Sequence, residues 1–371
     1  MVNVKTEMNY TITSKQLIFI LIGCMLGTGI ITLPRVTTEV LEQDAWLAVL
    51  FGAIIPFVSL WLTSRIIGKY PGLSFIALTE RIAGKFFGRL LAAVFVIYSI
   101  LAAAVILRLF TEVITIYLLP KTPMLVKILL GLGVSAYMAS SGIKVLGRLN
   151  EFLFYMLLPL LLFALPALFI YGDIRYLMPV LNHSIKEYSK SAITTGYVYS
   201  GFETLIVFGP YVIKKKETFK ASIIALSTTT FLYLYAVITT MVVFGAGLTQ
   251  KITWPALRIL SVVDIPVFER IEFVFILAWI GISIKPVCNQ YFCATLIIKD
   301  AFGIKSLEAV MSVLFPIIAF IAWYPKNIYA TFRFSDFIGT YSLILGTAMP
   351  LLLLGLSSIR KKGRVEDEGN S

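Results

Sequence analysis

Apolar blocks of about 20 residues, the length of a helix that crosses a bilayer, recur along this chain and most constrain its fold. Lipid offers no hydrogen-bond partner to backbone amides and carbonyls, so segments of this length span it as helices. The hydrophobic content of 58% exceeds the roughly 45–50% of soluble domains. The pattern predicts an all-α membrane protein and leaves no stretch for a soluble catalytic domain.

We predict ten spans, at residues 15–34, 44–66, 86–118, 123–140, 149–171, 192–213, 218–245, 269–290, 306–323 and 335–358. Of the 32 Lys and Arg residues, 19 fall in segments on the side of the N-terminus and 11 on the opposite side. Because cytoplasmic loops carry the excess of Lys and Arg, both termini should be cytoplasmic. The same rule explains the net charge of +12 without a nucleic-acid partner. We expect one polytopic membrane domain over 1–371, with residues 359–371 as a cytoplasmic tail.

The first span carries a weak point where a membrane helix should be continuous, in the segment GCMLGTGIITLP. Gly27 and Gly29 are poor helix formers on either side of Thr28, and Pro34 removes a backbone donor soon after them. A helix that unwinds at mid-depth frees backbone groups that protein, water or ligand must satisfy. The segment therefore predicts a broken helix at a binding site. Gly23 and Gly27 also have the spacing that lets two helices pack closely, and this alternative stays open.

The sixth span repeats this arrangement, with Ser200-Gly201 near its middle and Pro210 further on. Gly27 and Gly201 are 174 residues apart (201 − 27), so each lies in the first span of a five-span half. Because five is odd, the second half lies inverted relative to the first. Paired interrupted helices in inverted halves point to a transporter-type site at the bilayer midplane. We predict a first repeat over 15–171 and a second over 192–358.

The two breaks present complementary charges to a ligand. The outer half of the first span would begin with free amides, a positive dipole end that suits a carboxylate. The outer half of the sixth span would end with free carbonyls, which suit an ammonium group. A zwitterion such as an amino acid fits both. The predicted ligand-binding residues are Gly27, Thr28, Gly29, Tyr98, Ser200, Gly201, Phe202 and Glu203.

Glu203 is the residue in this set with the most open role. A carboxylate at mid-membrane depth is costly unless it is paired or protonated, so it indicates function. It fits an acceptor for a ligand ammonium, a proton carrier or the partner of a cation in another span. A structural ion pair, or a hydrogen bond to backbone freed by the break, fits equally. Tyr98 is predicted as a pocket wall, and Phe202 as either a ligand contact or packing.

The residues of both breaks match a known pattern. GTGIITLP at 27–34, SGFETLIVFGPY at 200–211 and the basic KKK at 214–216 resemble the B subunits of GerA-type spore germinant receptors. These endospore germination permeases belong to the amino acid–polyamine–organocation transporter superfamily. The GTGI segment occurs across that superfamily. Its combination with the sixth-span pattern, ten spans and a short polar tail carries the resemblance, which extends along nearly the whole chain.

The resemblance implies a LeuT-like five-plus-five inverted repeat with broken first and sixth helices. It also implies a small germinant, usually an amino acid, and two partners, an A-type membrane subunit and a C-type lipoprotein, in the spore inner membrane. In sodium-coupled relatives the first and eighth spans hold an ion, so Lys285 becomes an ion- or proton-coupling candidate. The alternative is a lysine whose head reaches the inner interface. Pro286 disfavours helical backbone at Lys285.

Three functions remain open: a germinant-sensing subunit, an amino-acid or polyamine transporter, and a scaffold with a vestigial pocket.

Arg108 and Glu112, four residues apart in the third span, are predicted to pair with each other. Phosphate loops, HExxH and nucleophile–base patterns are missing from the sequence, so we predict no enzyme and no cofactor. His183 has no metal-ligand pattern around it, and the three cysteines are predicted to be structural: Cys24, Cys288 and Cys293.

Overall fold

The computed structural model describes residues 11–262 and 271–369, with side chains described for 11–262 and 275–359. Helices occupy most of this part. The first half contains α1 Ser14–Met25, α2 Gly29–Leu41, α3 Ala45–Gly52, α4 Ile54–Lys69, α5 Phe75–Ala83, α6 Lys85–Tyr117, α7 Met124–Ser140, α8 Ile143–Leu161 and α9 Leu165–Tyr171. The second half contains α10 Ile185–Gly196, α11 Leu205–Phe208, α12 Thr218–Thr249, α13 Pro255–Arg258, α14 Ile271–Phe302, α15 Leu307–Trp323 and α16 Ile328–Gly369.

Five helical stretches are long and apolar enough to cross a membrane, by length and composition, among the residues described. They cover 29–69, 85–117, 143–171, 215–249 and 328–359. The apolar helices α1, α7 and α15 are shorter, and α1 is short because the first span is interrupted. The chain is therefore a multi-pass membrane protein, and its helices follow the order of the predicted spans.

Several predicted span boundaries differ from the observed helix ends, and two of the differences have a clear physical reason. The eighth span was predicted to end at residue 290, but α14 continues to Phe302. Asn289 and Gln290 resemble the polar end of a span in the sequence, but both are buried inside the protein. The sixth span was predicted from residue 192, but α10 begins at Ile185. Its polar first turns escape a hydropathy scan, although Ser184 and Glu187 form a capping box there. Likewise the last helix continues to Gly369, through most of the predicted polar tail.

The predicted break in the first span is confirmed. The helix α1 ends at Met25, Leu26 adopts an extended conformation (φ −92°, ψ 98°), and α2 starts at Gly29. Pro34 lies inside α2 and does not end it. Only Leu26, Gly27 and Thr28 separate the two half-helices.

The predicted break in the sixth span is also confirmed. A 3₁₀ turn, Tyr197–Tyr199, follows α10, and Ser200 leaves the helical region (φ −44°, ψ 133°). Gly201 has a φ of 117°, which only glycine adopts without strain. Helical backbone then resumes in short pieces through Phe202–Thr204 and α11.

The two breaks touch at Gly201. A Cβ atom on this residue would lie 2.4 Å from the carbonyl oxygen of Cys24, at the end of α1. Pro286 of α14 packs against the first break in a similar way, because a Cβ on Gly27 would lie 2.6 Å from its Cγ. The helix α14 continues through Pro286, contrary to the expectation that this proline would interrupt it. Because glycine has no side chain, Gly201 can pack against the end of α1 and Gly27 against Pro286 of α14 at these short distances.

Candidate functional site

A cavity of about 170 Å³ lies against both helix breaks. Gly27, Thr28 and Gly29 of the first break form part of its wall, and so does Ser200 of the second. These are four of the eight predicted ligand-binding residues. Gln290 of α14, which was not among the predicted ligand-binding residues, also lines the cavity.

The first break places the start of α2 against this cavity. Its N-cap residue, Thr28, makes no side-chain capping hydrogen bond. The first amides of a helix have no intrahelical acceptor, and the aligned peptide dipoles give this end a partial positive charge. The wall of the cavity at Thr28 and Gly29 is therefore suited to an anionic group such as a carboxylate.

Tyr233 of α12 forms hydrogen bonds to backbone at both breaks. Its hydroxyl lies 2.7 Å from the carbonyl oxygen of Met25, at the end of α1, and 3.0 Å from that of Val198, beside the second break. A single hydroxyl hydrogen serves both acceptors in a shared bond. Tyr233 therefore satisfies backbone freed at both interruptions, and its buried side chain fixes their separation.

We expect Tyr233→Phe to lower both thermal stability and ligand affinity. The change leaves two buried carbonyls without their donor, at a cost of about 1–3 kcal/mol. Tyr235→Phe is the matched control, because that hydroxyl donates to the carbonyl of Leu161 at the end of α8, away from the breaks. Thermal unfolding and ligand titration of both variants separate the effects. Equal ligand affinities for the two variants would contradict the role given to Tyr233.

Glu203 is fully buried and accepts four hydrogen bonds. Its Oε1 accepts from the Tyr98 hydroxyl at 2.7 Å and from Gln290 Nε2 at 3.2 Å. Its Oε2 accepts from the Gly201 amide at 2.8 Å and from the Ser342 hydroxyl at 2.8 Å. No Lys or Arg side chain forms an ion pair with it in the described part of the chain. Because an ionised carboxylate only accepts, four neutral donors match that form.

Glu203 lies behind the wall of the cavity. Its neighbours Gln290 and Ser200 line the cavity, and the Tyr98 hydroxyl lies 3.0 Å from Ser200 Oγ. Tyr98 and Glu203 therefore lie behind residues that line the cavity. Of the roles considered for Glu203, its bond to the Gly201 amide corresponds to stabilising backbone freed by the break.

Phe202 and Lys285 lie away from the cavity wall. The Phe202 ring packs against Gly346 of α16, where a Cβ would lie 2.5 Å from Cε2. Lys285 is completely buried, so its head does not reach an interface. Its Nζ has no hydrogen-bond partner among the described residues. Its place in the middle of α14 does not test the predicted role of Lys285 in ion or proton coupling, which stays a prediction.

The predicted close packing at Gly23 has a specific cause. A Cβ on Gly23 would lie 1.7 Å from Oδ1 of Asn150 in α8. Asn150 in turn donates to Oδ1 of Asn289 in α14 at 3.0 Å. Gly23 thus makes room for a buried amide pair that links α1, α8 and α14.

The two ends of the molecule differ around this site. Away from the N-terminus the cavity extends to a charged and aromatic group: Arg35, Glu39, Tyr197, Phe332 and Asp336. On the N-terminal side, the Ile12 amide donates to the Tyr211 carbonyl at 2.9 Å, and the Ile213 amide donates to the Ile12 carbonyl at 3.0 Å. The Ser14 hydroxyl donates to Glu217 at 2.5 Å. These bonds join the start of the first span to the end of the sixth on that side.

The other titratable groups singled out in the sequence lie outside the cavity wall, except Cys24, which lines it. Arg108 pairs with Glu112 at 2.9 Å, as predicted. The residues described include no group of three or more His, Cys, Asp or Glu side chains that could hold a metal. The His183 ring instead contacts Asp44, 3.2 Å away. Cys24, Cys288 and Cys293 are free and buried.

Two interrupted helices around a central cavity define the LeuT-like class of transporter folds. The solved structure of MhsT in complex with L-phenylalanine superimposes with a TM-score of 0.67 at 18% identity, covering 92% of this chain and 91% of MhsT. The chain belongs to the spore germination protein family of permeases, whose model matches residues 11–331. This agrees with the resemblance carried by the two break motifs.

Relatives from two organisms support the assignment over nearly the full length. The spore germination protein YndE of Bacillus subtilis (strain 168) is 30% identical over 359 residues, which cover 95% of this chain and 98% of YndE. The spore germination protein GerQB of Bacillus cereus is 26% identical over 319 residues, covering 86% of this chain and 88% of GerQB. The chain is thus a permease-type membrane protein of spore germination.

Proposed function

We propose that this protein is the germinant-binding membrane subunit of a spore germinant receptor. It binds a small germinant, an amino acid, between the two helix breaks and changes conformation when the site is filled. One observation carries the proposal: the uncapped start of α2 and the polar layer around Glu203 meet at one cavity. MhsT, which has the same fold, was solved with an amino acid bound.

The proposal includes partners and a location. The subunit assembles with an A-type membrane subunit and a C-type lipoprotein in the spore inner membrane, with both termini on the core-facing side. The family of the relatives and the excess of Lys and Arg on the N-terminal side support this. The pocket then opens away from the core, where a germinant arrives.

An amino-acid transporter is the second candidate, and the hydrogen bonds between the first and sixth spans on the N-terminal side favour it. The bonds of Ile12 and Ser14 to the end of the sixth span form a closure that alternating access would open. Lys285 would then couple transport to an ion or a proton. A buried lysine with no partner in the described region changes its charge more readily than a paired one.

Purified protein in proteoliposomes separates the two functions. We expect labelled amino acids to bind without accumulating inside the vesicles, whereas uptake would make the protein a transporter. We also expect Gly27→Leu to abolish binding and the germination response, because its side chain would collide with the Pro286 ring beside the cavity. Gly133→Leu is the control, since a Cβ there meets no atom within 4 Å. Absence of binding and of uptake by the wild type would make the pocket vestigial and overturn the proposal.

A further inference from the structure

Gln290, a residue that lines the cavity, carries an unused acceptor. The residue is buried in α14 and lines the cavity. Its Nε2 donates to Glu203, but its Oε1 has no hydrogen-bond partner among the residues with described side chains. A buried acceptor without a donor is unfavourable, so a ligand that supplies one gains affinity.

The orientation of this amide is set by Glu203. A flipped Gln290 would bring its own oxygen against the Glu203 carboxylate, and two acceptors would face each other. Glu203 does not turn to avoid this, because Tyr98, Ser342 and the Gly201 amide already hold both of its oxygens. The Gln290 carbonyl is therefore held in place before any ligand arrives.

We propose that Glu203, acting through Gln290, makes the site selective for ligands that carry a protonated amine. Gln290 Oε1 accepts a hydrogen from the ammonium group, while the amides at the start of α2 bind the carboxylate. In its ionised form, which would accept all four of these hydrogen bonds, Glu203 also favours a cation in front of Gln290. This inference rests on the proposed function and adds the residue that recognises the amine. Gln290 is the contact residue and Glu203 a positioning residue.

The size of the expected discrimination follows from the unused acceptor. A site built to hydrogen-bond a charged group rejects an analogue that lacks the group, because its polar atom then stays unpaired. A ligand without the amine keeps its carboxylate contacts at α2 and loses only this bond. We expect the wild type to bind an amino acid at least about tenfold more tightly than the same acid without the amine.

The test compares matched ligand pairs on the purified full-length protein. The pairs are L-alanine with propionate and L-phenylalanine with 3-phenylpropionate, and equilibrium binding gives a discrimination ratio for each. Gln290→Met keeps the length of the side chain but removes the acceptor, so its ratio should fall to within about threefold of one. Gln250→Met is the matched control: Gln250 Nε2 donates to the Thr38 carbonyl at 2.7 Å, away from the cavity wall. Its ratio should equal that of the wild type.

A second variant tests the role of Glu203. Glu203→Gln keeps the size but removes the charge that orients Gln290, and we expect a ratio between those of the wild type and Gln290→Met. A wild-type ratio in Gln290→Met overturns the inference while the proposed function stands. A wild-type ratio in Glu203→Gln alone overturns the part assigned to Glu203. Absence of binding by the wild type to all four compounds overturns both the inference and the amino-acid ligand of the proposed function.

Discussion

Gly201→Ala is expected to abolish folded, germinant-responsive protein. The residue has a φ of 117°, and a side chain in that region costs about 1–3 kcal/mol in strain alone. The added Cβ would also lie 2.4 Å from the oxygen and 2.5 Å from the carbon of the Cys24 carbonyl. Both atoms are backbone, so the ends of the two broken helices must separate. The strain alone is a sizeable fraction of the roughly 5–15 kcal/mol that holds a typical domain folded, and the clash adds to it.

Size-exclusion profiles, thermal unfolding and spore germination measure this effect. We expect little monodisperse protein, a large fall in melting temperature and no response to germinant. Gly133→Ala in α7 is the matched control, because no atom lies within 4 Å of the new Cβ and its backbone is helical. It should behave like the wild type. A Gly201→Ala protein with wild-type stability and response would show that the two breaks do not meet as described.

Glu203→Met is expected to have the second-largest effect. The substitution keeps the length of the side chain and removes the acceptor of four buried donors, from Tyr98, Gln290, Ser342 and the Gly201 amide. Each donor that finds no new partner costs about 1–3 kcal/mol. Because these donors come from α6, α14, α16 and the second break, the loss loosens the centre of the fold as well as the site.

Glu203→Gln separates the charge from the hydrogen bonds. Its amide keeps one acceptor oxygen, so we expect a smaller fall in melting temperature than for Glu203→Met but a measurable loss of germinant sensitivity. Thermal unfolding and a germination dose–response curve are the measurements. Equal melting temperatures for Glu203→Met and the wild type would mean that the four donors do not depend on this carboxylate.

Both helix breaks could be predicted because their causes are local. Glycines beside Thr28 and at residue 201 weaken a helix wherever it lies. A membrane span that unwinds at them must have other groups that satisfy the freed backbone. The paired spacing of the two weak points then predicted the inverted halves. Helix ends at polar residues were less predictable, since buried Asn289 resembles the end of a span in a hydropathy pattern.

The hydrogen bonds that other spans make to Glu203 and to the two breaks could not be predicted, because they depend on how separate spans face each other. Tyr233, Gln290 and Ser342 lie in the seventh, eighth and tenth spans. The local sequence does not determine how each of these helices is rotated about its axis, and so which residues face the site. For the same reason the sequence left Glu203 with several partners. Its hydrogen bonds to neutral donors appear only when α6, α14 and α16 are packed around it.

A ligand-bound structure of the purified protein tests the central claim most directly. At saturating amino acid, we expect ligand density between the two breaks. The carboxylate should lie within hydrogen-bonding distance of the amides that begin α2, and the ammonium beside Gln290 Oε1. Density for the bound amino acid at any other site, or continuous helices through Gly27 and Gly201, would contradict it.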